Sequence, residues 1–222
     1  MKKAQRKPTK AARRSNGKPL PRVAKKAVAA KSVAKSRNPS ARNPAASAAA
    51  GLTALQRRLQ TLEDIMEITR LKAAYCDAVD GGWDRRTHRG EEVAALFVDN
   101  GAWDVGGGAG RGEGHDGIVK LIDSFQHMPF AFHRVSNPVI HVDGDQATGK
   151  WHVIAYLSQP NGNPVMFFGV YHDQFVRTRQ GWRFKLLTCD TATMTPLREG
   201  WSTGDYYKER LGQALENGPR TA

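Results

Sequence analysis

From Leu52 onward, apolar residues recur at three- and four-residue steps: Leu55, Leu59, Leu62, Ile65, Ile68, Leu71, Tyr75 and Val79. That period predicts one long amphipathic helix. Asp80-Gly81-Gly82 is its predicted stop, with glycine free to take the left-handed cap. Short helices are expected around 91–97 and 117–125, the second behind a glycine-rich loop over 106–117. From Asn137 the texture turns to strands. Segments 139–142 and 147–157 flank Asp143-Gly144-Asp145, a hairpin signal; 165–177 follows Pro160-Asn161-Gly162-Asn163, and 182–188 follows Gln180-Gly181. Helices first and a strand meander after them predict an α+β fold with an antiparallel sheet.

Charge divides the chain in two. Residues 1–50 hold 15 of the 34 Lys and Arg, from Lys2 to Arg42, with no Asp, no Glu and no aromatic residue. The rest, 51–222, is left with 19 basic and 21 acidic residues, so the net charge of +13 belongs to the tail. A basic nucleic-acid-binding domain spanning the whole chain is thereby excluded. Residues 1–50 cannot bury enough apolar surface to order themselves and are expected to be disordered. Three readings of that tail stay open: a solubilising extension, a segment that binds nucleic acid or another polyanion, or a transit peptide. Residues 51–222 have the length of one domain.

Cys76 and Cys189 make neither a disulfide framework nor a metal-ligand spacing. No apolar run approaches the roughly 20 residues of a bilayer span, and no secretory signal peptide is visible. A cytoplasmic protein without membrane contact is expected.

Several phrases in order carry a resemblance. They are Leu71-Lys72-Ala73-Ala74-Tyr75, Val79-Asp80-Gly81-Gly82-Trp83-Asp84, Leu96-Phe97, Phe132-His133 with Asn137-Pro138, the stretch from Asp143 to Trp151, Gly169-Val170-Tyr171-His172-Asp173, and Gly181-Trp182. Together, over roughly 55–201, they resemble SnoaL-like domains of the nuclear-transport-factor-2-like superfamily. The resemblance implies a cone: a curved antiparallel sheet wrapped round N-terminal helices, with an apolar pocket inside and dimers formed through the convex face of the sheet. Its motifs are most similar to those of the bile-acid 7α-dehydratase, scytalone dehydratase and lindane dehydrochlorinase type. In the first of these, a tyrosine, an aspartate five residues on and a histidine before the meander form the working group. Tyr75, Asp80 and His133 match those positions. A further aspartate of that dehydratase is matched here by Ala155.

The residues also argue for themselves. Asp80 would stand at a helix C-terminus, where backbone carbonyls disfavour negative charge, so it needs a donor. His133 could be that donor, Asp80 fixing its tautomer and leaving the other ring nitrogen as a base. Tyr75 would offer a phenol to a developing oxyanion or leaving hydroxyl. On an ideal helix, however, five residues turn about 140°, so Tyr75 and Asp80 share a face only if the helix end distorts. Trp103, Phe132, Ala155 and Tyr171 are the expected substrate-binding residues. Gly112-Glu113-Gly114-His115-Asp116-Gly117 fits GxGxxG but lacks a preceding apolar strand, and is read as a flexible loop at the pocket mouth. His141 and His152 have no third ligand at metal spacing, and Cys76 reads as a small buried residue; no metal and no cofactor are expected.

The expectation is a cofactor-free lyase of dehydratase type acting on a small apolar, aromatic or steroid-like hydroxylated substrate. The same groups would equally serve an isomerase or a retro-aldol lyase. A non-catalytic ligand-binding dimer with a polyanion-binding tail is the alternative from another class.

Overall fold

The computed structural model describes residues 44–82, 84–106 and 110–201. The expectations for the basic tail up to residue 43, and for Trp83, lie outside the described residues. In chain order the elements are α1 (Pro44–Val79), α2 (Gly90–Ala94), β1 (Phe97–Asp104), β2 (Arg111–Glu113), α3 (Gly114–Asp123), β3 (Phe130–Asp143), β4 (Gln146–Ser158), β5 (Pro164–Thr178) and β6 (Gly181–Pro196). The six strands form one sheet in the order β2-β1-β6-β5-β4-β3. All neighbours run antiparallel except β1 and β6, which pair in parallel. This is the curved-sheet α+β architecture expected. No described helix is long and apolar enough to cross a membrane.

Four local expectations change. α1 begins at Pro44, so residues 44–50, expected in the tail, are helical; proline suits a first helical position, where its missing N–H is no loss. β3 begins at Phe130, not beyond Asn137, so His133 sits on a strand. Asn137-Pro138 is a bulge within that strand: Pro138 has no N–H for the ladder, Asn137 takes φ 52°, and the register shifts between Ser136 and Val139. The GxGxxG segment is not a loop at a pocket mouth. Arg111–Glu113 pairs with β1 and Gly114 opens α3. Finally, α1 buries only its C-terminal half. Leu52, Leu55, Leu59, Leu62 and Met66 are 54–60 % exposed, whereas Ile68, Leu71, Tyr75 and Val79 enter the core with Trp151, Phe175 and Phe184.

Polar anchors fix that half of α1 on the sheet. Asp64 takes two 2.7 Å hydrogen bonds from Arg177 and one of 3.2 Å from Trp182 Nε1, and Glu67 accepts from the Trp182 backbone N–H. The Arg177 hydrogen bonds hold the Asp64 carboxyl below the usual carboxylate range. Deeper in, Lys72 Nζ lies 2.8 Å from Asp173 Oδ2, with both side chains almost wholly buried. The ammonium also stands 3.4 Å from the centroid of the Tyr171 ring, a cation–π contact made where water is excluded. Burial pushes the Asp173 carboxyl up to about 6, against the opposing pull of Lys72.

Two outcomes follow from the buried pair. Lys72→Met strands a buried carboxylate and should cost about 3–5 kcal/mol in chemical denaturation at pH 7, while Lys72→Met/Asp173→Leu recovers most of that loss. Because the folded-state value of Asp173 is raised, its stabilising contribution is complete below pH 4 and declines as pH rises towards about 6. Unfolding free energies measured at pH 4.5 and 7 should therefore fall further with pH in the wild type than in Asp173→Asn.

Candidate functional site

α1 ends where its apolar face meets the start of β3. The Asp80 N–H still bonds back to the Cys76 carbonyl at 2.9 Å, and Gly81 then pairs with Ala131 as an isolated bridge. Gly81 has to be glycine, since a Cβ there would sit 2.6 Å from the Arg86 carbonyl oxygen. The last carbonyls of α1 do not go unpaired: the Arg89 guanidinium donates to the Asp77 and Asp80 carbonyls. A cation so placed offsets the negative end of the helix dipole that would otherwise oppose the Asp80 carboxylate.

That carboxylate meets β3. Asp80 Oδ1 accepts the His133 backbone N–H at 2.7 Å and lies 2.7 Å from His133 Nδ1. Both residues are 9 % exposed. A carboxylate can only accept, so Nδ1 carries the proton and Nε2 is left as the basic nitrogen. Asp80 Oδ2 has Arg134 Nη1 at 3.7 Å, and the Arg134 guanidinium covers the Phe132 ring at 3.2 Å from its centroid.

His133 stands in a wall between two spaces. On one side is an open groove of about 440 Å³, lined by Asp77, Asp80, Asp84, Arg85, Phe132 and Arg134. On the other is an apolar cavity of about 110 Å³ between α1 and the concave face of the sheet. Tyr75, Trp103 and Tyr171 line it with His133, together with Phe125, Phe167 and Met194. Sheet register explains the grouping. His133 pairs with Ala155, Ala155 with Phe167, and Phe167 with Met194, one row across four strands facing the same way.

Within the cavity, Trp103 Nε1 donates to the Tyr75 hydroxyl at 3.1 Å, and the Tyr75 and Tyr171 rings meet edge to face with their centroids 5.8 Å apart. Burial pushes both phenols well above their ordinary range, so each stays protonated. The thiols of Cys76 and Cys189 are pushed up by burial to about 11 and about 12. Neither is available as a thiolate.

Asp80 and His133 are thus in direct contact, and Tyr75, Trp103 and Tyr171 line the same cavity as His133. Two expected substrate-binding residues are placed elsewhere. Phe132 alternates to the opposite side of β3 from His133 and lines the groove. Ala155 is fully buried beside His133, packed with Ala131, Leu157, Val165 and Met194, and is not part of the cavity lining. His141 and His152 are both exposed on the other face of the sheet. Among the described residues no three His, Cys, Asp or Glu side chains gather into a metal site.

His88 is the cavity residue that the sequence pattern misses. It follows Thr87 in the short link between α1 and α2, in a left-handed conformation of φ 50°, with its N–H bonded to the Val79 carbonyl. That backbone turn directs its ring inward, 6.5 Å from the His133 ring between centroids. Its Nδ1 is buried without a hydrogen-bond partner, a costly arrangement for a polar atom. Burial, with the like charge of His133 second, lowers its pKa to about 3, so the ring is neutral.

The comparisons with known proteins agree with this architecture. A structure described as an aromatic ring hydroxylase candidate from Novosphingobium aromaticivorans is 26 % identical, with a TM-score of 0.55 over 62 % of this chain and 96 % of that one. A scytalone dehydratase candidate from the same organism is 23 % identical, with a TM-score of 0.53 over 61 % of this chain and 89 % of that one. The hexachlorocyclohexane dehydrochlorinase LinA-type3 from Novosphingobium barchaimii is 21 % identical, with a TM-score of 0.53 over 63 % and 92 %. The last two likenesses concern the fold alone. No curated protein matches the chain. The SnoaL-like domain family matches residues 60–188, which take in α1 from its middle, Asp80, His133 and the first half of β6, and the chain belongs to that family.

Proposed function

We propose that the protein is a cofactor-independent lyase that removes water from a small hydroxylated ring compound. The observation that carries this reading is the 2.7 Å contact between Asp80 Oδ1 and His133 Nδ1 in the wall of a mostly apolar cavity. The family's solved relatives, with dehydrochlorinase and dehydratase names among them, support a lyase or isomerase class.

In this mechanism His133 Nε2 takes a proton from a carbon beside an activating group. The C–H electrons become the new double bond, and the imidazolium is stabilised by Asp80. Tyr75 donates a hydrogen bond to the activating or departing oxygen; its raised pKa keeps it a donor rather than a source of the proton. As the C–O bond breaks, the imidazolium returns its proton to the leaving hydroxyl, so one water and one alkene form and the enzyme ends unchanged. With Ala155 in the row beside His133, that position supplies no second carboxylate for this work. The cavity volume favours one ring over a fused four-ring steroid, since pockets for drug-sized ligands run to roughly 300–1,000 Å³. His88 Nδ1 supplies a neutral hydrogen-bonding site for a polar substituent on that ring.

Dehydration read by absorbance of the conjugated product, over a panel of monocyclic hydroxylated carbonyl compounds, tests this reading. His133→Ala should lower kcat by about 10²–10⁴, and Asp80→Asn by a comparable factor. Tyr75→Phe should cost roughly 10²-fold in kcat. His88→Leu should lower kcat/KM by about tenfold while leaving the shape of the pH–rate profile unchanged. A turnover that survives His133→Ala would overturn the mechanism, and a rearranged product of unchanged mass would assign the dyad to isomerisation.

A further inference from the structure

The N-terminal half of α1 projects beyond the sheet with an apolar stripe that nothing among the described residues covers. Leu52, Leu55, Leu59, Leu62 and Met66 are each more than half exposed. Their steps are three, four, three and four residues. That is the heptad alternation of a coiled-coil seam, with Leu52, Leu59 and Met66 at a and Leu55 and Leu62 at d. A contiguous exposed row of large apolar side chains marks an interaction surface. From its geometry we infer that it is a parallel, two-stranded coiled coil with a second copy of this chain.

Three observations select that occupant. The stripe is self-complementary in pattern: a and d positions of one copy supply both the knobs and the holes of the other. Flanking charge selects the parallel arrangement. In this register Arg58 is at g and Glu63 is at e, and a parallel pair sets g of one chain against e five residues on in its partner. Two reciprocal Arg58–Glu63 pairs result. An antiparallel pair would instead set Gln56 against Glu63 and Arg58 against Ile65, with no ion pair. Finally, the folded domain leaves the seam clear. Asp64, Ile68, Leu71, Lys72 and Tyr75 face the sheet, whereas the stripe continues along α1 as exposed Thr69, Arg70 and Ala73. Two domains can therefore lie on opposite sides of one helix pair.

The seam spans 15 residues, or about 22 Å of helix. As a free peptide that length would be marginal, because the helix would first have to nucleate. Here α1 is already helical and anchored through Asp64, Glu67 and Lys72, so association meets a pre-formed strand. The surface is separate from the convex sheet face and from the cavity, and the inference stands independently of the proposed reaction.

The test uses the full chain in sedimentation equilibrium. The mass of Leu55→Glu/Leu59→Glu/Leu62→Glu should be half that of the wild type, with cooperative thermal unfolding by circular dichroism retained because these side chains are exposed in the single chain. Equal masses would overturn the inference, and so would a threefold difference, which would mean a three-stranded seam. Arg58→Glu should weaken the dimer roughly three- to tenfold, and Arg58→Glu/Glu63→Arg should restore it. Leu55→Cys and Leu62→Cys should each cross-link to themselves when treated with oxidised glutathione, the native Cys76 and Cys189 being buried. Failure of both to self-link would overturn the parallel register.

Discussion

Lys72 and Asp173 are the constraint around which the domain is arranged. Water solvates both charges far better than a protein interior does, and their mutual attraction in a buried site commonly only offsets that loss. Their contribution lies in position. The ammonium fixes the face of Tyr171, the Tyr171 ring packs edge to face against Tyr75, and Tyr75 accepts from Trp103 on β1. One buried charge on α1 thereby sets the side chains of three elements along one flank of the cavity. The opposite flank is set by Asp80 at the end of the same helix, through His133 on β3. Displacing α1 along its axis would disturb both flanks together.

Much of this was readable in the sequence, and the failures have physical causes. The three–four period of α1 and the turns at Gly144, Gly162 and Gly181 are local signals, and they correctly located the long helix and the hairpins. The parallel pairing of β1 with β6 joins residues some 85 positions apart, Phe97 with Phe184 and Trp103 with Leu187, and has no local signature. The early start of β3 was hidden because Asn137-Pro138 reads as a boundary, whereas the strand absorbs it as a bulge. Periodicity also says that a helix has an apolar face without saying what covers it. Leu55 and Leu71 follow the same pattern, yet one is exposed and the other is core.

The candidate site divides in the same way. Asp80 and His133 were legible because a carboxylate at a helix end requires a donor, and a histidine beside a strand is a fitting one. Phe132 lines the groove and not the cavity because strand alternation sends adjacent residues to opposite faces, and only the true start of β3 fixes which is which. His88 carried no sequence signal, since its place in the cavity depends on a single left-handed residue in a link of no regular structure. Ala155 shows the converse: the register places it beside His133, but a methyl group reaches nowhere.

The position of His133 in a shared partition has a consequence for traffic. The cavity side is lined mostly by carbon, while the groove side carries Asp80, Asp84, Arg85 and Arg134 and opens to water. One ring thus touches two media. A polar molecule in the groove and an apolar one in the cavity would meet the same imidazole from opposite sides.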